Sequence, residues 1–263
     1  RKQDIFNQLH TFGFYHMVIG KLLGKTGIRN LSQSYVSKRI DLNRLVDELY
    51  QQRSGYYKAI NKELVIEAYS GWYGVIPGIK KLFDHYKIAI IIRDPRTWVT
   101  SYMNFGTKYG KRDWVNKLGY QRLNPRMAGE EKYIQSWNYM DTFQRLCWLW
   151  QAVYEIMIRD GIGDIYCQIF RYEDLFLSPS KRETFRDFLR FITTFPNRAY
   201  EWQPLNGILD QKINNSKHDE FPNWKKWGAD RAQFLRSMCG HLMQQYGYGM
   251  EEEWKNLVNN SSE

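Results

Sequence analysis

Ile90-Ile91-Ile92-Arg93-Asp94-Pro95-Arg96 is the stretch that decides how this chain is read: an apolar strand passes directly into a cation and then into a helix start. Asp94 is suited to accept one of the free backbone N–H groups of that helix. Pro95 fits the first helical position, where its missing donor and fixed φ cost nothing. The spacing predicts a strand over Lys87–Arg93 and a helix over Pro95–Asn104. The unpaired N–H groups and positive dipole end of the helix, with Arg93 beside them, make an anion-binding corner at the carboxyl edge of a sheet. Ser101 follows Arg93 by eight residues, on the second turn, where its hydroxyl reaches the same anion.

Outward from this corner the pattern alternates. Asp41 precedes Leu42, Leu45, Val46, Leu49 and Tyr50, which have helical spacing and a cap. Leu64–Ala68 reads as a short strand, Ile76, Ile79, Leu82 and Phe83 as a helix, and the strand and helix around Arg93 follow. That β-α-β-α order predicts an α/β fold with a parallel sheet flanked by helices and right-handed crossovers. Gly106–Glu131 lacks periodicity and is expected to be a long surface region over the ligand edge, shaped as a substrate lid. Leu146, Leu149, Val153, Ile156 and Met157 mark a helix leading into a strand at Asp164–Phe170. Lys181–Ile192 is a further amphipathic helix, and Phe234 to Tyr246 stripe a last one, which Gly247 and Gly249 stop. The whole chain, 1–263, reads as one domain with a loose acidic-polar tail over 250–263.

These motifs resemble a known family. Arg93-Asp-Pro-Arg-Thr-Trp-Val-Thr-Ser101 is similar to the 3′-phosphate motif of sulfotransferases that use 3′-phosphoadenosine 5′-phosphosulfate (PAPS), in which the Arg and the Ser hold the 3′-phosphate. Phe170-Arg-Tyr172-Glu-Asp-Leu175 resembles the family segment whose Tyr approaches the adenine. Trp224-Lys-Lys-Trp227, followed by Cys239-Gly-His-Leu-Met243 and Tyr246-Gly-Tyr248, looks like its closing loop and last helix. The resemblance implies a P-loop NTPase-like sulfotransferase fold, PAPS as co-substrate with 3′-phosphoadenosine 5′-phosphate (PAP) as product, and no metal. Arg93, Ser101 and Tyr172 become the cofactor residues. Lys217 joins them, because Lys217-His218-Asp219 falls where cytosolic members carry an Arg-Lys-Gly phosphate triplet.

The family's opening phosphosulfate loop, Pro-Lys/Arg-Ser-Gly-Thr-Thr, does not occur. Gly20-Lys-Leu-Leu-Gly24-Lys-Thr26 has three residues between its glycines where a nucleotide P-loop needs four. A sequence starting after the loop and a degenerate relative both remain open. Cytosolic members take the acceptor proton with a His, and Gly71 stands in that place here. Other branches use a Glu at this edge, which makes Glu67 the candidate general base. An ion pair is the other reading of Glu67, and His10 and His16 stay as further candidates.

Composition narrows the partners. The net charge of +10 comes from dispersed Lys and Arg without a zinc-finger, RRM or basic-zipper pattern, so a small anionic cofactor is expected and a specific nucleic-acid site is not. No run approaches the ~18 apolar residues of a membrane span. Cys147, Cys167 and Cys239 suggest neither a metal site nor a disulfide framework, which favours a cytoplasmic setting. Trp72, Tyr73, Tyr102, Phe105, Tyr109 and Trp114 would suit an apolar, planar or sugar acceptor at the mouth. The expected activity is sulfuryl transfer from PAPS to a hydroxyl or amine of a small molecule or glycan. A non-catalytic nucleotide- or glycan-binding module and a P-loop kinase are the alternatives.

Overall fold

The computed structural model describes residues 27–60, 62–114, 121–201, 207, 209–210 and 220–259. Its centre is a parallel pair of strands, β1 (Ile88–Ile92) and β2 (Cys167–Arg171), in register from Ile88 opposite Cys167 to Ile92 opposite Arg171. Both strands therefore end together, and the residues that follow them, Arg93 and Tyr172, emerge at one edge. The crossover carries two main helices, Pro95–Phe105 and Thr142–Gly161. The second starts in a capping box, in which Asp141 accepts from the Gln144 N–H and the Gln144 side chain accepts from the Asp141 N–H. It packs on β1, on the Pro95 helix and on the helix Ala229–Gln245, and its Leu146, Trp148 and Trp150 are fully buried among Ile90, Ile92, Val99 and Leu235. A smaller core joins the helices Ile28–Val36, Leu42–Ile60 and Ile76–Leu82 through Leu31, Leu45, Leu49 and Val75. Mixed helix and strand with a small parallel sheet is compatible with the α/β class.

Several expectations are corrected. Leu64–Ala68 is irregular, with Ile66 exposed. A short apolar run becomes a strand only beside a partner edge, and the partner described for β1 is β2. The stretch after Gly106 is not simply surface, since Asp113 and Leu123 are buried and the Tyr109 hydroxyl donates to the Leu123 carbonyl. Residues 115–120 lie outside the described part. The loose tail is also wrong for most of its length: Glu252–Asn259 is a helix with Trp254 and Val258 buried. Its acidic start, which suggested solvation, is the charge that a helix N-terminus favours. Gly247 (φ 70°) and Gly249 (φ 76°) do end the preceding helix and turn the chain into this one. The Pro95 helix closes in the same way at Gly106 (φ 59°).

Arg96 ties these parts together. It is 1% exposed, yet charged, and every face of it is answered. Its Nε and Nη2 bond Asp94 at 3.0 and 2.6 Å, while Nη1 and Nη2 bond Glu251 at 2.9 and 2.8 Å. The guanidinium lies 4.3 Å from the ring centre of Trp224 and 5.0 Å from that of Trp254. Replacing Arg96 by Met strands the buried Asp94 carboxylate, while Glu251 stays open to water, and is expected to cost about 3 kcal/mol in urea unfolding. The Arg96 hydrogen bond holds the Glu251 carboxyl below the ordinary glutamate value, against a smaller opposing effect of desolvation. A depressed carboxylate contributes stability above its unfolded value and loses it as pH falls through the folded one. Wild type should thus exceed Glu251→Gln in urea midpoint at neutral pH, with the gap closing in acid.

Candidate functional site

The corner forms much as its residues dictate, with one change in how an anion would be held. Asp94 caps the helix by accepting from the Arg96 N–H at 2.8 Å, and the Asp94 N–H itself donates to Glu173 at 3.1 Å. Pro95 has no N–H, so Thr97 carries the remaining donor of the first three helical positions. The helix terminus is therefore largely answered from within the chain. The free positive group is the Arg93 side chain, whose Nε donates to Thr97 Oγ1 at 3.0 Å and whose guanidinium lies 4.8 Å from the Tyr172 ring centre. Among the described residues no carboxylate pairs with Arg93.

The backbone under this group is fixed by side chains. The Ile91, Ile92 and Arg93 carbonyls accept from Tyr154 Oη (2.9 Å), Tyr248 Oη (3.2 Å) and Trp150 Nε1 (2.9 Å). The Tyr248 hydroxyl also lies 2.7 Å from Glu173. Burial first, and then the Glu173 carboxylate, push the Tyr248 pKa up, so this hydroxyl keeps its proton. Glu173 thus bridges the start of the Pro95 helix, the end of β2 and the segment after Gly247.

Of the five expected site residues, Arg93 and Tyr172 are brought into contact. Ser101 follows Thr97 by one turn on the same helix face, half-buried, and no described contact joins it to Arg93 or Tyr172. Glu67 is not joined to them by any described contact. It accepts from the Tyr57 hydroxyl at 2.7 Å with one oxygen and pairs with Arg53 at 3.2 Å with the other, and Arg53 in turn stacks on Trp72 at 5.0 Å. That is the ion-pair reading. Lys217, His10, His16 and the Gly20–Thr26 stretch lie outside the described residues. Of the expected aromatic mouth, Tyr73 is buried in the core and Tyr109 is taken up by Leu123, while Tyr102 packs on Trp98 beneath Lys108.

Sequence reasoning missed Thr97 and Glu173. The spacing of four between Arg93 and Thr97 was readable, because it is one helical turn. Glu173 had no such signal, since its partners Asp94 and Tyr248 are 79 and 75 residues away. The Lys108 ammonium, 4.2 Å from the Tyr102 ring centre, was missed as well, because Lys108 lies beyond the end of the helix that carries Tyr102.

The pairing of Glu67 generates a test. Glu67→Ala leaves the buried Arg53 unanswered and should lower unfolding stability by about 1–3 kcal/mol, whereas Glu67→Gln retains the Tyr57 hydrogen bond and loses less. Urea titration of both variants checks this. No protein-family model, no curated protein and no solved structure matches this chain.

Proposed function

We propose that this chain is a sulfotransferase domain that binds PAPS through the corner formed by Arg93, Ser101 and Tyr172. One observation carries the reading: Arg93, at the carboxyl end of β1, is stacked on Tyr172 and steered by Thr97, and no described carboxylate neutralises it. A guanidinium held in place with its charge unanswered is suited to bidentate capture of a phosphate. The Ser101 hydroxyl then adds a donor one turn further on, and the Tyr172 ring offers a flat face to adenine. In the reaction the acceptor oxygen or nitrogen attacks sulfur in line, the bond from sulfur to the 5′-phosphate oxygen breaks, and the acceptor proton passes to a base. The protein's share is alignment and charge stabilisation, by analogy with phosphoryl transfer. The acceptor belongs to the small-molecule or glycan class, and a cytoplasmic setting, in keeping with three free cysteines, is part of the same proposal. No helix among the described residues is long and apolar enough to cross a membrane.

A second reading, nucleotide binding without turnover, draws on the engagement of both Glu67 oxygens, which makes Glu67 a poor proton acceptor. Turnover separates the two readings. PAPS carrying labelled sulfate, offered with phenolic and sugar acceptors, gives labelled product only under the first.

Affinity tests both. PAP is expected to bind more tightly than AMP, which lacks the 3′-phosphate. Arg93→Ala should weaken PAP by about ten- to a hundredfold, the equivalent of a lost charge-assisted hydrogen bond of roughly 1.5–3 kcal/mol, with unchanged thermal unfolding. Calorimetry showing equal affinity for PAP and AMP would remove the assignment.

A further inference from the structure

We infer that Glu173 is the positioning residue of the Arg93 corner, fixing the direction in which that guanidinium meets a phosphate. The peptide unit between Arg93 and Asp94 is planar, so its carbonyl and its N–H turn together. Trp150 Nε1 donates to the carbonyl at 2.9 Å, and Glu173 accepts from the N–H at 3.1 Å. Held at both ends, the plane is kept from rotating, and the Cα–Cβ bond of Arg93 keeps one direction. The other Glu173 oxygen lies 2.7 Å from the Tyr248 hydroxyl, which is itself 3.2 Å from the Ile92 carbonyl, one residue earlier in the strand. The Arg171 guanidinium covers the Tyr248 ring, 4.6 Å from its centre. Glu173 is half-buried and directly follows Tyr172, so one turn of chain carries both the clamp and the ring on which Arg93 stacks.

Thr97 then aims the side chain. Its hydroxyl donates to the Asp94 carbonyl at 3.1 Å, which turns an oxygen lone pair toward Arg93 Nε, 3.0 Å away. Asp94 is thus held through both of its backbone groups, the N–H by Glu173 and the carbonyl by Thr97. With Nε engaged, Arg93 keeps Nη1 and Nη2, and among the described residues no acceptor is bonded to either. Their end-on fork is the edge that matches two phosphate oxygens. A carboxylate suits position 173 because it accepts with both oxygens at once. Removing it releases the plane, and a guanidinium that has to be ordered on binding holds its ligand more weakly than one ordered beforehand.

This role rests on the proposed function, in which the phosphate is the 3′-phosphate of the nucleotide. Glu173→Gln keeps the clamp: its amide oxygen accepts from the Asp94 N–H, its NH2 donates to Tyr248 Oη, and the Tyr248 proton turns to the Ile92 carbonyl. Glu173→Ala removes the clamp. In calorimetry Glu173→Ala is expected to bind PAP about tenfold more weakly than wild type, with AMP unaffected, while Glu173→Gln stays within about twofold of wild type for PAP. Equal losses for PAP and AMP, no loss for PAP, or a Gln variant as weak as the Ala variant overturns the role. Should Glu173→Ala not fold, Tyr248→Phe takes its place, since it removes one of the two donors: PAP weakened by about threefold with AMP unchanged supports the role, and unchanged PAP overturns it. A ligand-free readout keeps the two readings apart. The Arg93 Nε–H, protected by Thr97, should exchange with solvent about tenfold faster in the clamp-deficient variant than in wild type or Glu173→Gln. If wild type binds neither nucleotide, the functional reading fails, and this exchange rate alone decides whether Glu173 positions Arg93, equal rates overturning it.

Discussion

The buried guanidinium of Arg96 is the contact on which the rest of the arrangement depends. A charge removed from water is unfavourable unless its donors and its faces are all answered. Arg96 meets that demand by drawing together the cap of the Pro95 helix, the start of the last described helix and two tryptophans from different segments. Because Asp94 is oriented by Arg96, the turn that separates Arg93 from the helix is oriented as well. The two arginines, three residues apart, divide the work. One neutralises the chain's own carboxylates, and the other has none of them among the described residues and rests on Thr97 and Tyr172.

The end of β1 is rigid for a related reason. Three successive carbonyls there accept hydrogen bonds from Tyr154, Tyr248 and Trp150. Large amphipathic side chains bury their rings in the core and spend their polar ends on the strand terminus. A site built on such a backbone keeps its geometry without a ligand, which favours binding by lowering the entropy lost on association.

Local chemistry made part of this legible. Asp94 and Pro95 marked a helix start because capping depends on adjacent residues, and the apolar stripe of Thr142–Gly161 marked a core helix because its period is written in the chain. What depended on pairing was not legible. Leu64–Ala68 had strand composition but found no described partner, and Glu67 was diverted to Arg53 by contacts that no spacing reveals. The role of Arg96 was not legible either, since nothing in its neighbourhood announces Glu251. The helix Glu252–Asn259 was misread because its acidic opening outweighed the spacing of Trp254, Leu257 and Val258. The parallel register that sets Tyr172 beside Arg93 is likewise a property of two strands and not of either motif alone.

Glu251 and Arg96 stand 155 residues apart in the chain. During synthesis the ribosome therefore releases β1 and its helix, with Asp94 already beside Arg96, long before Glu251 and Trp254 exist. Until Trp254 has emerged, Arg96 has Asp94 beside it but neither Glu251 nor the Trp254 face, so its remaining donors stay hydrated, and the strand end lacks the Tyr248 hydroxyl. Contacts of such long sequence separation form late and slow the overall reaction. Completion of the corner consequently waits on residues 248–254, and the waiting segment, with its isoleucines uncovered, is exposed to aggregation in the meantime.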